Sequence, residues 1–539
     1  SDRTSPDPTD SVPAPSHASA GRSRLARWTL HLLVAVATTA PLAWNLGRLP
    51  LGREPVASVP LFNLWSLQWT ADRLPHLMQG WWDAPIFWPN PGTYAYSELQ
   101  PLTGAAFALL RPLAGNDGAY GLLLLGALAL NGIAGAALAR RLGADAVPAA
   151  LAGVLAQTLP FLFTQLGVLQ LLMIWPLLAA TASLLAWAED PRPRDAAKLG
   201  LAIAAAFGTC GYHAALFTLC ASLAGVLLVD RRWRHQWRER VAGLAIALGL
   251  ALALTAPFLL GQRQRLGDQR WSDDTIRSGS ARWDELAPAG RHWPGTVLVV
   301  LAIIGLVLGR RRPAVRFLAG VAAVATFAAL GTHLVVAGRR PWELVIDHVG
   351  AFARIRSPFR FTATAQVALT GLAAVALQRL WTNRRQIARW AAPLAVAVAV
   401  LFTATGPGRL VAPPEANASW AAWLSEHVDG GAPVVHLPYA PGPSVADFEP
   451  TAVAMVQALD HGHPLVNGYS GFFPPSHTFL RLDLAGFPDR RSVDALRRIG
   501  VTYAVADPSW YRGERAEGGA AMGIEVIVDD ASGILLRLP

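Results

Sequence analysis

A succession of apolar runs, each close to the length of a bilayer crossing and divided from the next by a few polar or basic residues, leaves this chain little choice of solvent. The runs fall at residues 28–46, 118–139, 147–164, 166–188, 196–211, 213–229, 240–261, 294–309, 314–337, 361–381 and 387–406. Roughly 17 to 25 apolar residues cross about 30 Å of hydrocarbon, and backbone in that layer must bond within itself, so each run reads as a helix. The fold class expected is mainly α, a polytopic membrane helix bundle of about eleven spans. Composition agrees, with 53% of the 539 residues hydrophobic and 15% charged, far from a soluble enzyme of this length.

The arginines give the orientation. Short cytoplasmic loops carry excess Lys and Arg, and a first span starting inside puts Arg140-Arg141, Arg192 to Lys198, Arg231 to Arg240, Arg310 to Arg316 and Arg384 to Arg389 all in the cytoplasm. The same clusters account for the net charge of +10 without a continuous basic face, which excludes a nucleic-acid partner. A span at 102–114 would break this alternation, so that segment is expected to be re-entrant or interfacial. The chain is expected in the inner (cytoplasmic) membrane, multi-pass, with a cytoplasmic N-terminus and its C-terminal domain outside.

Three regions follow. Residues 1–21, rich in Ser, Pro and Asp, read as a disordered cytoplasmic tail. Residues 22–409 form the membrane domain, and residues 410–539 a soluble α/β domain on the outer face. In that last region Ser419 to His427 has helical spacing, APVVHLPY and VTYAVAD read as strands, and IEVIVDDASGILLRLP reads as a closing hairpin. Cys210 and Cys220 lie in apolar segments and read as buried, reduced thiols. Asn417-Ala418-Ser419 fits the N-glycosylation pattern, a weak signal alone.

Function is expected where the outer segments gather: the loop 48–101, the loops 262–293 and 338–360, and the chain after 407. The first loop holds Trp65, Trp69, Trp81, Trp82, Trp88, Tyr94 and Tyr96, rings that suit a membrane boundary or a sugar face. Its carboxylates stand beside a low-dielectric layer that shifts pKa values. Asp83, after two tryptophans, and Glu98, before the 102–114 segment, are the leading candidates for a general base. Glu54 is a lesser candidate and reads as exposed, while Asp72 reads as a salt bridge to Arg73. Arg354, Arg356 and Arg360 lie on the outer side, where orientation does not explain them, and Arg offers a planar fork for phosphate. A spacing of four puts Arg356 and Arg360 on one helical face. Trp82, His213 and Tyr469 complete the substrate-binding candidates. His461, His463 and His477 invite a divalent metal, but no Cys or carboxylate spacing completes a site, so no metal ligand is assigned. The polar span residues His31, Asn131, Gln157, Gln165 and Gln170 should face the bundle interior.

The stretches SVPLFNLWSLQWTADRL and WWDAPIFWPNPGTYAYSELQP, with FARIRSPFRFTATAQVAL and HGHPLVNGYSGFFPPSH, resemble bacterial polytopic membrane proteins related to the GT-C glycosyltransferase superfamily. That resemblance implies transfer of a sugar from a polyprenyl-phosphate carrier to a glycan or protein acceptor at the outer membrane face, with a carboxylate of the first outer loop as base. It also implies contact with membrane lipid and a role in the cell envelope. The superfamily places an Asp soon after the first span, whereas this chain reads GREPVASVP and offers only Glu54 there. The alternative reading is a non-catalytic relative that binds polyprenyl lipid or glycan within an envelope complex.

Overall fold

The computed structural model describes residues 17–229, 233, 235–404, 406, 408–414, 418–439, 442 and 444–539. Most of the expected tail lies outside the described residues, and residues 17–21 already belong to the helix His17–Thr38. Arg231, Arg232, Arg234 and Asn417 also lie outside them.

The chain is mainly helical. Among the described residues, six helices are long and apolar enough to cross a membrane: Pro101–Arg141, Ala146–Thr164, Leu169–Glu189, Gly211–Leu228, Trp237–Leu266 and Pro358–Trp381. Four apolar helices are shorter, Leu25–Thr38, Thr296–Gly309, Pro313–Ala329 and Arg389–Thr403, and Pro193–Thr209 lies beside Trp237–Leu266. Length thus divides the expected spans into two classes. Two apolar textures recur. Trp237–Leu266 exposes Leu244, Leu248, Leu252 and Leu254, a surface that only lipid suits, whereas Phe361–Trp381 is buried along most of its length and forms the axis of the bundle. Small residues let the helices touch backbone to backbone: a Cβ on Gly305 would lie 1.9 Å from the Leu372 carbonyl oxygen. The interior polar residues bond across helices, His31 Nδ1 to Gln157 Oε1 at 2.7 Å and Asn131 Nδ2 to the Leu172 carbonyl at 2.8 Å. Cys210 and Cys220 are buried thiols.

Within Pro101–Arg141 the backbone breaks at Gly115 (φ 69°, ψ −179°), a conformation open chiefly to glycine. The piece before it carries exposed Leu109 and Leu113, so the 102–114 segment is a helix of its own, distinct from the run that follows.

The aromatic loop departs from expectation. Ser58–Arg73 is a helix with nearly all its residues buried, and Trp65, Trp69, Trp81 and Tyr94 are at most 5% exposed. Three of the four polar tips bond within the protein: Trp69 Nε1 donates to the Trp81 carbonyl at 2.8 Å, Trp81 Nε1 to Thr70 Oγ1 at 3.1 Å, and Tyr94 shares a 2.6 Å bond with Ser66, while Trp65 Nε1 is buried without a partner. These rings are core, not a belt at the membrane surface. Composition alone cannot separate the two, since both ask for a flat apolar body with one satisfied polar atom.

Residues 434–537 carry a four-stranded mixed sheet in the order Val434–Leu437, Tyr503–Ala506, Gly533–Arg537, Glu525–Asp530, with the first pair parallel and the others antiparallel. Helix Ser419–His427 and the hairpin after Asp530 stand where the sequence places them. This region grips the first loop. Leu465 N–H donates to the Pro85 carbonyl and Phe87 N–H to the Asn467 carbonyl, Leu49–Pro50 pairs with Leu410–Val411, and Gly468 has no room for a Cβ against the Phe87 ring. Gln262 Nε2 donates to the Ala95 and Ser97 carbonyls, and Trp271 N–H to the Ala353 carbonyl. The four segments expected on one face therefore meet at one end of the bundle.

Candidate active site

Arg360 closes the short turn Pro358–Arg360 at the head of the axial helix. It is 8% exposed, its guanidinium lies 4.3 Å from the centre of the Tyr212 ring, and its Nε and Nη1 have no hydrogen-bond partner. Buried cationic donors left open in this way are costly unless something else satisfies them.

Glu98 faces it. Oε1 accepts from Cys210 Sγ at 3.1 Å and from Tyr212 N–H at 3.3 Å, and Oε2 is buried without a partner. Burial pushes this carboxyl above its usual range, and the Arg360 charge pulls back against that.

Glu54 completes the pair of acids. Gly52 (φ +60°) turns the chain, and the bare Cα of Gly167 lets the turn close, since a Cβ there would stand 2.3 Å from the Leu51 carbonyl oxygen and 3.0 Å from Glu54 Cγ. The result is a half-buried carboxyl, raised by burial and opposed by Arg291, Arg356 and Arg360. Arg356 lies 5.4 Å over Trp271, and its charge acts on the Tyr469 hydroxyl, which burial makes harder to ionise. His213 stands next to Tyr212, donating Nε2–H to the Leu171 carbonyl at 3.0 Å, with Nδ1 buried and unbonded.

Glu54, Glu98, Arg356, Arg360, His213 and Tyr469 are thus brought together, and three other candidates are not. Asp83 is exposed and its Oδ1 accepts the Gly92 N–H at 2.8 Å, closing the loop. Arg354 bonds the carbonyls of Gly267 and Gln269. Trp82 packs on Trp81 and lies under the Arg265 guanidinium at 4.9 Å. Asp72 pairs with Arg111, while Arg73 stacks 4.1 Å over Trp69, so the expected 72–73 salt bridge is replaced. Arg356 and Arg360 do not share a helical face either: Ser357 is non-helical (φ −132°, ψ 75°) and precedes a 3₁₀ turn, the helical region being disfavoured for the residue before a proline. Glu54, read as exposed, gains its place through the Gly52 turn. Arg291 was not singled out, although it too falls in a loop expected on the outer side.

Among the described residues no group of three or more His, Cys, Asp or Glu is arranged to hold a metal. His461 Nδ1 accepts the His463 N–H at 3.1 Å, and burial holds His461 down to about 3 and His477 to about 4. Both rings pack among aromatic neighbours as neutral core.

A family model described as "Domain of unknown function (DUF6311)" matches residues 78–404. The chain belongs to the DUF6311 family. Of the site in this DUF6311 protein, Glu98, Arg356, Arg360 and His213 fall inside the matched span, while Glu54 and Tyr469 fall outside it. No curated protein matches the chain significantly. Solved structures do. The arabinofuranosyltransferase AftD from Mycobacteria aligns with a TM-score of 0.60 at 16% identity, covering 96% of this chain and 40% of AftD, so the DUF6311 chain spans about two fifths of that protein. ArnT from Cupriavidus metallidurans bound to undecaprenyl phosphate aligns at 0.56 and 15% identity, covering 96% and 98%. The Archaeoglobus fulgidus oligosaccharyltransferase, in complex with Zn and sulfate, aligns at 0.53 and 13%, covering 92% and 69%. At these identities the likeness is one of fold: the DUF6311 chain has the architecture of GT-C glycosyltransferases.

Proposed function

We propose that this protein transfers a sugar from a polyprenyl-phosphate carrier to a hydroxyl-bearing acceptor at the outer face of the membrane. The observation that carries this reading is the buried, unbonded guanidinium of Arg360 beside two carboxyls, one of them half-open. Fixed positive charge in a dry site stabilises a departing phosphate, and a carboxylate in reach takes the acceptor proton. The fold it shares with ArnT and AftD supports the same chemistry.

Glu54 is the base. It alone of the two acids lies in the field of Arg291, Arg356 and Arg360 while remaining partly open. Glu98 is tied down by Cys210 and Tyr212 and positions Arg360. The acceptor oxygen passes its proton to Glu54 and forms a bond to the sugar C1. The C1–O bond to phosphate breaks, and the phosphate leaves with the electron pair, its charge held by Arg356 and Arg360. The geometry at C1 inverts. In this reading the bundle carries about eleven crossings, counting the shorter helices, the N-terminus is cytoplasmic, and residues 410–539 form an extracytoplasmic domain over the site.

A transfer assay with radiolabelled polyprenyl-phosphate sugars tests it. Glu54→Gln should abolish transfer and Asp83→Asn should leave it intact; normal transfer by Glu54→Gln would remove the proposed base.

A further inference from the structure

Two cavities of opposite character meet at Arg291. The first, about 470 Å³, runs between the end of Ala146–Gln157, the Pro160–Thr164 turn, the start of Thr296–Gly309 and the end of Gln386–Thr403. Its walls are largely apolar, among them Leu155, Phe163, Val297, Val398 and Phe402, and Phe402 is 81% exposed on the bundle surface. Arg53 and Arg291 stand at its head. The second cavity, about 310 Å³, is lined by Ser278, Ser280, Glu285, Arg291, His292 and Arg356, with the His292 ring stacked on Phe359 at 4.8 Å. Arg291 belongs to both, and with Arg356 it acts on Glu54.

We infer that the apolar groove receives the isoprenoid chain of a polyprenyl phosphate, that Arg291 with Arg53 joins Arg356 and Arg360 around the phosphate where the cavities meet, and that the polar cavity takes the attached sugar. An isoprenoid tail asks for a long greasy wall open to the bilayer, its phosphate for two guanidiniums at the wall's end. A sugar asks for hydroxyl and carboxylate partners and a flat face to lie on, which Ser278, Ser280, Glu285 and the His292–Phe359 stack provide. Charge and apolarity change over at one residue, in the order in which they change along the carrier itself. This rests on the polyprenyl-phosphate reading above and adds where the carrier lies.

Full-length protein in lipid nanodiscs is titrated with undecaprenyl phosphate, with undecaprenol, and with phosphatidic acid as an ordinary anionic lipid. Arg291 is exposed, so Arg291→Gln leaves the fold in place; it should weaken undecaprenyl phosphate about tenfold, the worth of one charge-assisted contact, and leave undecaprenol unchanged. Val398→Trp, which fills the groove, should weaken both, and Arg291→Lys should recover part of the loss. If the wild-type protein binds no undecaprenyl phosphate, the carrier reading itself fails. If it binds and both variants bind as well as wild type, or phosphatidic acid competes equally, the groove is not the carrier site.

Discussion

Arg360 acts on Glu98 across a buried space, yet Nε and Nη1 of the one and Oε2 of the other have no hydrogen-bond partner. A structural ion pair would use those atoms on each other. The Tyr212 ring lies against the one group and the Cys210 thiol and Tyr212 N–H bond the other, and the unused atoms are what a ligand would meet.

Substitution of the base separates chemistry from binding. Glu54→Gln is expected to lower the transfer rate by about 10²- to 10⁴-fold, the usual worth of a general base, while undecaprenyl phosphate binding stays within a few fold. Parallel rate and binding measurements check it.

The pH profile follows from the charges around Glu54. Its carboxyl is raised by burial, and Arg291, Arg356 and Arg360 oppose the rise. A base works only when deprotonated, so transfer should fall as pH drops through this elevated pKa. Arg356→Gln removes an opposing charge, raising the pKa further, and the acidic limb should move to higher pH. A limb that stays put or moves lower would disconnect Arg356 from Glu54.

Glu98 gives a stability prediction of defined sign. Burial raises its folded pKa above the ordinary value of 4.5, so the folded state holds the proton more tightly than the unfolded chain. Its contribution is most favourable below the unfolded pKa and declines as pH rises through the folded one. Glu98→Gln should therefore melt at or above the wild-type temperature at neutral pH and show little advantage in acid. Thermal unfolding in detergent at two pH values measures this.

Gly167 tests whether the turn places the base. An alanine Cβ would crowd the Leu51 carbonyl oxygen and Glu54 Cγ, so Gly167→Ala should cost about 1–3 kcal/mol of stability and reduce transfer in the protein that remains folded. Asp83→Asn is the contrasting case: it weakens one exposed hydrogen bond to Gly92, worth about 0.5–1.5 kcal/mol at most, with transfer unchanged.

The helical bundle was legible because apolar length is a local signal that tertiary packing does not overturn, and the hairpin about Asp530–Gly533 was legible for the same reason. Arg356 and Arg360 were singled out by charge in a loop expected on the outer side, yet their geometry was misread although Pro358 stood between them to break the helix. Glu54 was undervalued because its approach to the arginines depends on Gly52 and Gly167, which lie far apart in the chain. Asp83 drew attention through neighbouring tryptophans, but those rings turned out to be core, leaving the carboxylate outside.

The most direct measurement is a density map of the protein with undecaprenyl phosphate bound. The account predicts the phosphate within about 3 Å of the Arg356 and Arg360 guanidinium nitrogens, the distance of a charge-assisted bond, with Glu54 facing the same space. A phosphate bound away from both arginines, with Arg360 still unbonded, would contradict it.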